Sequence, residues 1–370
     1  MTTIINGSSP SITFSDGSAQ TSATRPFQNR IINGAMVIDQ RNAGASVAIT
    51  TAAPFITDRF FSYASQTSKL TAQQNAGAVT PPVGFSNYLG HTSQSTYAIT
   101  ASDLFVTAQR IEGFNTADLG WGTANAKTVT LSFQVYSSLT GTFGGSLQNS
   151  AQNRSYPFTY SIPSANTWTT ISITIAGDTS GTWIGATNGI GIQLNFGLGI
   201  GSTYSTTASA WAAGNYFAPT GATSVVGTNG ATFYITGIQL EVGSTATSFD
   251  YRPYGTELQL CQRYYMQYGG TSTNEHLPMV AQVQGTTGAN TSLQLPVQMR
   301  TTPSITQAST WQANIYGGSS QNISSFAIAD STPLVARLDI TLAGSLGSAG
   351  QCARMLSTST SARLNFSAEL

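Results

Sequence analysis

The amino-acid sequence predicts an all-β protein with a short N-terminal segment, an antiparallel jelly-roll β-sandwich, a short connecting helix and a second, smaller C-terminal β-sandwich. Apolar and polar residues alternate in several segments, as expected for strands that bury one face. Gly, Ser and Asn separate these segments, where tight turns are expected. No long stretch has the spacing of an amphipathic helix. Many short strands joined by turns are typical of sandwiches and jelly rolls.

The pattern divides the chain into four regions, which are 1–28, 29–250, 251–274 and 275–370. The first contains Asp16-Gly17 between β-prone flanks, a common hairpin signal. It is too short to fold alone. The second is the predicted jelly roll, the third a connector with a short helix, and the fourth the smaller C-terminal β-sandwich.

The strands of the jelly roll are clearest in three segments with strict alternation. Their apolar residues are Val129, Leu131, Phe133 and Val135 in the first, Ile171, Ile173 and Ile175 in the second, and Ile190, Ile192, Leu194, Phe196 and Leu198 in the third. In a fourth segment, TFYITGIQLEV, the apolar positions shift by one residue at Thr236-Gly237. A β-bulge at the glycine keeps both halves of such a strand facing the core.

One short helix is predicted over residues 256–268. Thr256 and Gln259 form a capping box, and Leu258, Cys261, Tyr265 and Tyr268 recur at helical spacing. Beyond it the β pattern returns, with strands predicted in the segments PMVAQVQG, SLQLPVQM, ARLDITL and ARLNFSAE.

The charge content argues against several classes of partner. The chain has 14 basic and 14 acidic residues, 8% in all, and no net charge, whereas roughly 25% is usual. A neutral chain has no field that attracts nucleic acid or an anionic membrane surface. The sequence contains no run of 18 apolar residues and begins without a signal-peptide pattern. We therefore expect no nucleic-acid partner, no membrane insertion, and synthesis in the cytoplasm without a signal peptide.

The residues needed for catalysis or metal binding are scarce. His91 and His276 are far apart, and neither lies in a nucleophile elbow, a metalloprotease motif or a P-loop. Cys261 and Cys352 are expected to be plain buried thiols. A structural calcium ion at Glu241 is conceivable, but clustered aspartates are lacking. We predict no catalytic residue, no metal, no cofactor and no enzymatic activity. Glycoside hydrolysis stays open as an alternative, because it needs only two carboxylates.

Several segments together resemble a family of phage virion proteins found on tail fibres and spikes. They are NRIINGAMVIDQRNAG (from Asn29), FITDRFF (from Phe55), QRIEGFNTADLGWGTANAKTVTLSFQVY (from Gln109) and, most specifically, ITGIQLEVGSTATSFDYRPYGTELQLCQRYY (from Ile235). ITFSDGSAQTSA (from Ile12) is similar to the attachment ends of phage fibres, with Ser15 where proline is common. The resemblance covers residues 1–268. It implies a carbohydrate-binding-module-like jelly roll followed by a variable C-terminal domain.

The resemblance implies a structural protein of the virion, a fibre or spike subunit that attaches to the host cell surface. Residues 1–28 are then an attachment and trimerisation segment that contacts other tail or capsid proteins, and residues 275–370 a candidate for receptor binding. A chain of low charge gains from pairing its edges with copies of itself, and fibres of this kind are commonly homotrimers. A capsid decoration or tail-fibre adaptor fits the resemblance equally, and a polysaccharide depolymerase is a third alternative.

The expected partner is a host polysaccharide or an outer-membrane receptor. Sugars are recognised by aromatic faces together with neutral polar groups, and the chain has both in turn-rich regions. The glycan-stacking candidates are Trp211 and Tyr216 in the jelly roll and Trp311 and Tyr316 in the C-terminal region. The alternative is that these aromatic residues fill subunit interfaces.

Overall fold

The structure, a computed structural model, describes residues 28–370 and three two-residue strands before them. These strands are β1 (Ile4–Ile5), β2 (Ile12–Thr13) and β3 (Ala19–Gln20). They pair antiparallel in the order β1-β2-β3. The predicted turn at Asp16-Gly17 lies outside the described residues.

The sandwich contains fifteen strands and four short 3-10 helices among the described residues. The strands are β4 (Val47–Ala48), β5 (Phe55–Thr57), β6 (Phe60–Ala64), β7 (Leu70–Gln74), β8 (Leu89–Ser93), β9 (Leu104–Glu112), β10 (Val129–Ser137), β11 (Gly141–Gln148), β12 (Arg154–Ile162), β13 (Thr169–Ile175), β14 (Ile190–Ile200), β15 (Ser205–Thr206), β16 (Ala212–Ala213), β17 (Ala218–Pro219) and β18 (Thr232–Val242). The 3-10 helices are Ala76–Ala78, Gly113–Asn115, Ala117–Leu119 and Ser202–Tyr204.

Two antiparallel sheets form the sandwich, which confirms the predicted all-β fold. One has six strands in the order β13-β10-β18-β8-β7-β4, and the other has seven in the order β16-β12-β11-β14-β9-β6-β5. The short strands β15 and β17 pair in parallel. They belong to the loop 201–219, which follows β14 and packs on the outer face of the seven-stranded sheet. Strand β16 of this loop pairs with β12, and the carbonyl oxygen of Tyr216 accepts a hydrogen bond from the Gln148 side chain.

The alternating residues of the predicted strands fill the core between the sheets. Leu131, Phe133 and Phe196 are at most 1% exposed. The bulge also occurs as predicted, because Phe133 of β10 lies opposite two residues of β18, Gly237 and Ile238. Gly237 has a φ of +62°, which a residue with a side chain adopts only at a cost. The bulge therefore lets both halves of β18 turn their apolar residues inward.

The predicted helix is present but shorter than expected. It spans Tyr254–Gln262 (α1), begins after Pro253 and has no side-chain capping bond, so the expected capping box is wrong. The next residues form strand β19 (Tyr265–Gly269), which pairs with the end of the chain. Aromatic residues favour strands, and pairing with another strand outweighed the helical spacing of Tyr265 and Tyr268.

The C-terminal region is β, but its main sheet is a closed barrel where an open sandwich was expected. Its strands are β20 (His276–Val283), β21 (Gly288–Gln294), β22 (Ser304–Ala308), β23 (Trp311–Asn314), β24 (Ser320–Ala329), β25 (Val335–Leu342), β26 (Cys352–Ser357) and β27 (Arg363–Ser367). Six of them close in the order β20-β21-β25-β24-β23-β26. The remaining sheet, β19-β27-β22, packs against this barrel in one core that includes Phe366 and Trp311. Closure removes the free edges that a small open sheet would leave.

The two cysteines differ in their surroundings. Cys261 of α1 is buried, whereas Cys352, the first residue of β26, is exposed, so the expectation of two buried thiols was wrong for Cys352. Among the described residues no helix is long and apolar enough to cross a membrane.

Sandwich and barrel meet at a junction formed by residues 29–41, 58–59, 110–112, 252–264, 300 and 368–370. Its apolar part is Ile32 and Ile38 against Cys261 and Tyr264. Its polar part is a set of buried and partly buried ion pairs, Arg252 with Glu257, Arg263 with Glu112, and Arg59 and Arg41 with Glu369. The predicted connector is therefore a packed part of the junction.

Glu112 is a buried charge of the junction with two hydrogen-bonding partners. Its carboxylate accepts from Arg263 Nε at 2.8 Å and from Tyr264 Oη at 2.6 Å. Burial by itself raises the pKa of Glu112, but these hydrogen bonds and the Arg263 charge outweigh burial and hold the pKa below its ordinary value. Glu112, the last residue of β9, is thereby bound to the segment that follows α1 and leads toward the barrel.

Removing Arg263 should test how much this contact stabilises the protein. In Arg263→Met the Glu112 side chain, 1% exposed, loses its countercharge, so we expect the free energy of unfolding to fall by about 3–5 kcal/mol. The control is Arg337→Met, which breaks two exposed ion pairs, since the side chain of Arg337 is 40% exposed and those of Asp330 and Asp339 are 87% and 50% exposed; this change should cost less than about 1 kcal/mol. Urea denaturation measures both. Equal losses would show that the junction pair has no special role.

His91 is a second buried ionisable group, in the core between the sheets. It is fully buried, and its Nε2 lies 2.9 Å from Ser62 Oγ, which in turn donates to Thr107 Oγ1. Burial lowers the pKa of His91 to about 3. The imidazole of the folded protein therefore stays neutral between pH 6.5 and about 3, where the imidazole of the unfolded chain is protonated.

His91 should make the protein sensitive to acid. Between pH 6.5 and about 3 the unfolded chain binds a proton that the folded chain does not, so the free energy of unfolding should fall as the pH decreases, by about 1.4 kcal/mol per pH unit. His91→Gln should reduce that slope over this window. His276→Gln, at an exposed position, is the matched control and should leave the slope unchanged. Urea denaturation at pH 7, 6 and 5 measures the slope for each protein. An unchanged slope in His91→Gln would show that His91 does not cause the sensitivity to acid.

Candidate functional site

Trp211, predicted to stack on a glycan, is one of three tryptophans that pack on one another. Its ring centroid is 5.3 Å from that of Trp121 and 5.3 Å from that of Trp183, with interplanar angles of 74° and 79°. Its indole N–H donates to Ala176 O at 2.8 Å. Edge-to-face contacts of this kind stabilise by about 0.5–1.5 kcal/mol each. The ring therefore fastens three loops together and is only partly open to solvent.

Tyr216 lies in the same loop 201–219 and is also held in place. Its backbone N–H donates to Ser155 Oγ at 3.1 Å, and its carbonyl accepts from Gln148 Nε2 at 3.1 Å. Its ring covers Gly214, where a side chain would have no room. Tyr216 thus helps to close the outer face of the seven-stranded sheet.

Trp311 and Tyr316 are not brought together. Trp311 is 0% exposed in the core of the barrel, so its prediction as a stacking platform is wrong, since neither face of the ring can meet a ligand. An alternating strand places every second side chain inside, and Trp311 falls on the inner side of β23. Tyr316, five residues later, is 89% exposed in the turn between β23 and β24 and remains available.

A groove on the outer face of the six-stranded sheet has the features of a binding site. We call it the sheet groove and define it by its wall, which is Val83, Phe85, Phe249 and Tyr251, and its floor, which is Ser132, Gln134, Thr170 and Ser172. Its volume is about 430 Å³, within the range of about 300–1,000 Å³ usual for ligand pockets. It is open along one side.

The wall of the sheet groove is a cluster of three aromatic rings. Phe249 lies between the other two, with its centroid 5.1 Å from that of Phe85 and 5.7 Å from that of Tyr251. Tyr251 is 53% exposed and Val83 is fully exposed. The wall therefore presents apolar and aromatic surface directly to solvent. Exposed apolar patches of this kind often mark a binding site.

The floor consists of neutral polar side chains on two adjacent strands. Ser132 and Gln134 of β10 point away from the core because Leu131 and Phe133 point into it, and Thr170 and Ser172 of β13 lie beside them in register. Thr170 Oγ1 donates to Gln134 Oε1 at 3.0 Å. The amide N–H groups of Gln134 take no part in this hydrogen bond. Hydroxyl and amide groups in a row both donate and accept hydrogen bonds.

The loop 243–251 that carries the wall is anchored by a buried carboxylate. Glu241 accepts from Thr247 N and Thr247 Oγ1, both at 2.8 Å. The Gln239 side chain accepts from Asp250 N at 2.8 Å and donates to Glu241. Glu241, considered above for a calcium ion, thus serves as a hydrogen-bond acceptor for the loop. Among the described residues no three His, Cys, Asp or Glu side chains cluster to hold a metal.

The pairs of groups that resemble catalytic arrangements lie away from the sheet groove. Ser62 and His91 are hydrogen-bonded but both 0% exposed, so no substrate can reach the hydroxyl. Asp58 and Glu369 are neighbours in the junction, where burial raises the pKa of Asp58 to about 6 although Arg41 opposes this shift. Asp58 is 1% exposed. The groove itself is lined by uncharged residues and is suited to binding.

Sequence reasoning missed the residues of the sheet groove. Phe85 follows Pro-Pro-Val-Gly in a loop, and Phe249 and Tyr251 belong to the segment quoted for the family resemblance, where their value as a site was not recognised. The available signal was aromatic residues beside turn-forming Pro, Gly and Ser. The folding that brings residues 83–85 next to residues 246–251 is not visible in either segment alone.

Comparison with known proteins gives similarity in structure only. No protein-family model and no curated protein match the sequence. A solved structure of bacteriophage CBA120 tailspike protein 4, its enzymatically active domain, overlaps 60% of this chain and 22% of its own, at 12% identity and a TM-score of 0.33. The chain thus spans about a fifth of that tailspike structure.

Two further overlaps are with carbohydrate-binding modules. The family 11 module of a cellulosomal cellulase of Clostridium thermocellum overlaps 55% of this chain and 99% of its own, at 13% identity and a TM-score of 0.26. The N-terminal CBM22 tandem domain from Paenibacillus barcinonensis overlaps 89% of this chain and 100% of its own, at 8% identity and a TM-score of 0.27. Overlaps of this extent carry no inference about what this chain binds.

Substitution of Trp211 should affect stability and not ligand binding. In Trp211→Ala the contacts with Trp121 and Trp183 are lost, so we expect the free energy of unfolding to fall by about 3 kcal/mol. Tyr316→Ala, at an exposed turn, should change it by less than about 0.5 kcal/mol. Urea denaturation of both variants tests this. A Trp211→Ala protein of unchanged stability would contradict the packing role.

Proposed function

We propose that this chain is a fibre or spike subunit of a tailed bacteriophage that attaches to the host surface by weak, multivalent binding of polysaccharide in the sheet groove. The observation that carries the binding part is the groove itself, an exposed aromatic wall formed by Phe85, Phe249 and Tyr251 beside a floor of hydroxyl and amide groups. The virion part is supported by the segments that resemble phage virion proteins.

The chemistry of the groove suits a neutral glycan. A pyranose ring has an apolar face of C–H groups that stacks on aromatic rings, and its hydroxyl groups exchange hydrogen bonds with groups such as Ser172 and Gln134. The described lining contains no charged residue, so an anionic sugar would find no countercharge there. An open groove suits an internal stretch of a polysaccharide better than a free end.

Weak binding at each site is sufficient in an assembled fibre. We propose a homotrimer whose residues 1–28 contact other tail or capsid proteins and whose location is the virion. With three or more sites on one particle, avidity exceeds the affinity of a single site by about 10²–10⁴. Millimolar affinity per chain is then compatible with attachment.

The groove is tested by replacing Tyr251. On an array of neutral bacterial surface oligosaccharides the wild-type chain should bind, and Tyr251→Ala should weaken the best ligand about tenfold, since loss of one ring contact costs about 1.4 kcal/mol. The matched control is Tyr254→Ala, because Tyr254 is similarly exposed (63% against 53%) but lies outside the groove. Equal effects of the two changes, or no binding by a folded wild-type chain, would contradict the proposal.

The role at the host surface requires a separate measurement. The purified chain, with its oligomeric state determined by light scattering, should bind host cells and reduce adsorption of the phage without releasing reducing sugar ends. Binding without competition would favour the adaptor or decoration role. Release of reducing ends would favour a depolymerase.

A further inference from the structure

A second cavity lies on the opposite side of the sandwich, on the outer face of the seven-stranded sheet. We call it the amide pocket. Its floor comes from β6, β9 and β14, and its rim is formed by the turn that contains Gln152 and by the loop 201–219. Its volume is about 230 Å³, below the range of about 300–1,000 Å³ for larger ligands, so it has room for a single sugar residue.

One side of the amide pocket is apolar. Leu104 of β9, which is partly exposed, forms a small aliphatic surface next to the buried Val106, and the rings of Tyr204 and Phe217 lie in the same lining with centroids 6.0 Å apart and an interplanar angle of 86°. Phe217 is 5% exposed, whereas Tyr204 is partly exposed. The pocket therefore offers a methyl-sized apolar surface next to an aromatic ring that a ligand can reach.

The other side is lined by side-chain amides in fixed positions. Asn215 Nδ2 donates to Gln152 Oε1 at 3.3 Å, and Asn215 Oδ1 accepts from Gln148 Nε2 at 2.9 Å. Gln148 in turn accepts from Asn195, which is 0% exposed. This row of amides orients Asn215 and Gln152 before any ligand arrives. Within the described chain the Gln152 Nε2 group has no hydrogen-bond acceptor, so it is free to donate into the pocket.

Arg110 also lines the pocket, and two of its five N–H donors are used within the protein. Its Nε donates to Gln193 Oε1 at 3.0 Å, and its Nη1 donates to the carbonyl of Leu370. Its guanidinium lies over the Phe61 ring, 4.8 Å from the centroid. The guanidinium of Arg110 is thus held in place at the edge of the pocket, beside the amides and the aliphatic surface.

We infer that the amide pocket binds a 2-acetamido sugar, such as an N-acetylhexosamine residue of a surface polysaccharide. The acetamido methyl group fits the exposed surface of Leu104, its carbonyl accepts from Gln152 Nε2, and the pyranose ring packs beside Tyr204. The sheet groove has hydroxyl groups on its floor and no such methyl socket. The two sites therefore select different sugars, and this site stands whether or not the sheet groove binds.

The test compares two uncharged trisaccharides that differ in the acetamido group. The intact chain is titrated with triacetylchitotriose and with cellotriose, followed by protein-observed NMR. We expect triacetylchitotriose to bind with millimolar affinity and to shift resonances of residues 104–106 and 204–217, and cellotriose to bind there at least tenfold more weakly. Equal binding of the two at these residues, or no binding of triacetylchitotriose, would overturn the inference.

Two variants locate the site. Gln152→Gly removes the free amide at a position with a φ of +53°, where glycine is well tolerated, and Tyr204→Ala removes the accessible ring. Each should weaken triacetylchitotriose at least fivefold, whereas Tyr251→Ala in the sheet groove should leave it unchanged. If Tyr251→Ala alone weakens it, the sugar binds in the sheet groove and the amide pocket is not a site. If a variant does not fold, the comparison of the two trisaccharides on the wild-type chain still decides.

Discussion

The buried carboxylate of Glu112 is held by Arg263 and Tyr264, and this contact joins the sandwich to the segment that leads into the C-terminal region. A charge out of contact with water is tolerated only where its partners stay within hydrogen-bond distance. Since Glu112 ends β9 of the sandwich and Arg263 lies between α1 and β19, this requirement keeps the start of β19 next to the end of β9. The arginines that bind residues 368–370 apply the same constraint to the end of β27.

The junction also reaches the sheet groove through a short series of hydrogen bonds. Asp250, in the loop that carries Phe249 and Tyr251, accepts from Asn29 N at 3.2 Å, and the Asn29 side chain bonds the backbone of Ile238 and Leu240 in β18. The aromatic wall is therefore positioned by the same residues that join sandwich and barrel. A loop anchored in this way loses little conformational freedom when a ligand binds.

The fold was predictable where local pattern and tertiary structure agree, and the site was not. The phase shift at Gly237 gave the bulge because only one geometry keeps Ile235 and Ile238 in the core. The end of α1 was missed because pairing of Tyr265 with Ser367, about a hundred residues away, overrides local spacing. Trp311 was misjudged for the same reason, since turn-rich surroundings do not reveal which side of a barrel strand faces inward. Phe85 and Tyr251 become neighbours only through the fold.

Strands β19 and β27 are neighbours in one small sheet, so the first and last strands of the C-terminal region lie side by side. Among the described residues, the C-terminal region contacts the sandwich through residues 263–265, 300 and 369–370, and the turn that carries Tyr316 is not among them. A substitution in that turn changes no residue of the junction. Substitutions in the turn that carries Tyr316 therefore leave the contacts around Glu112 intact.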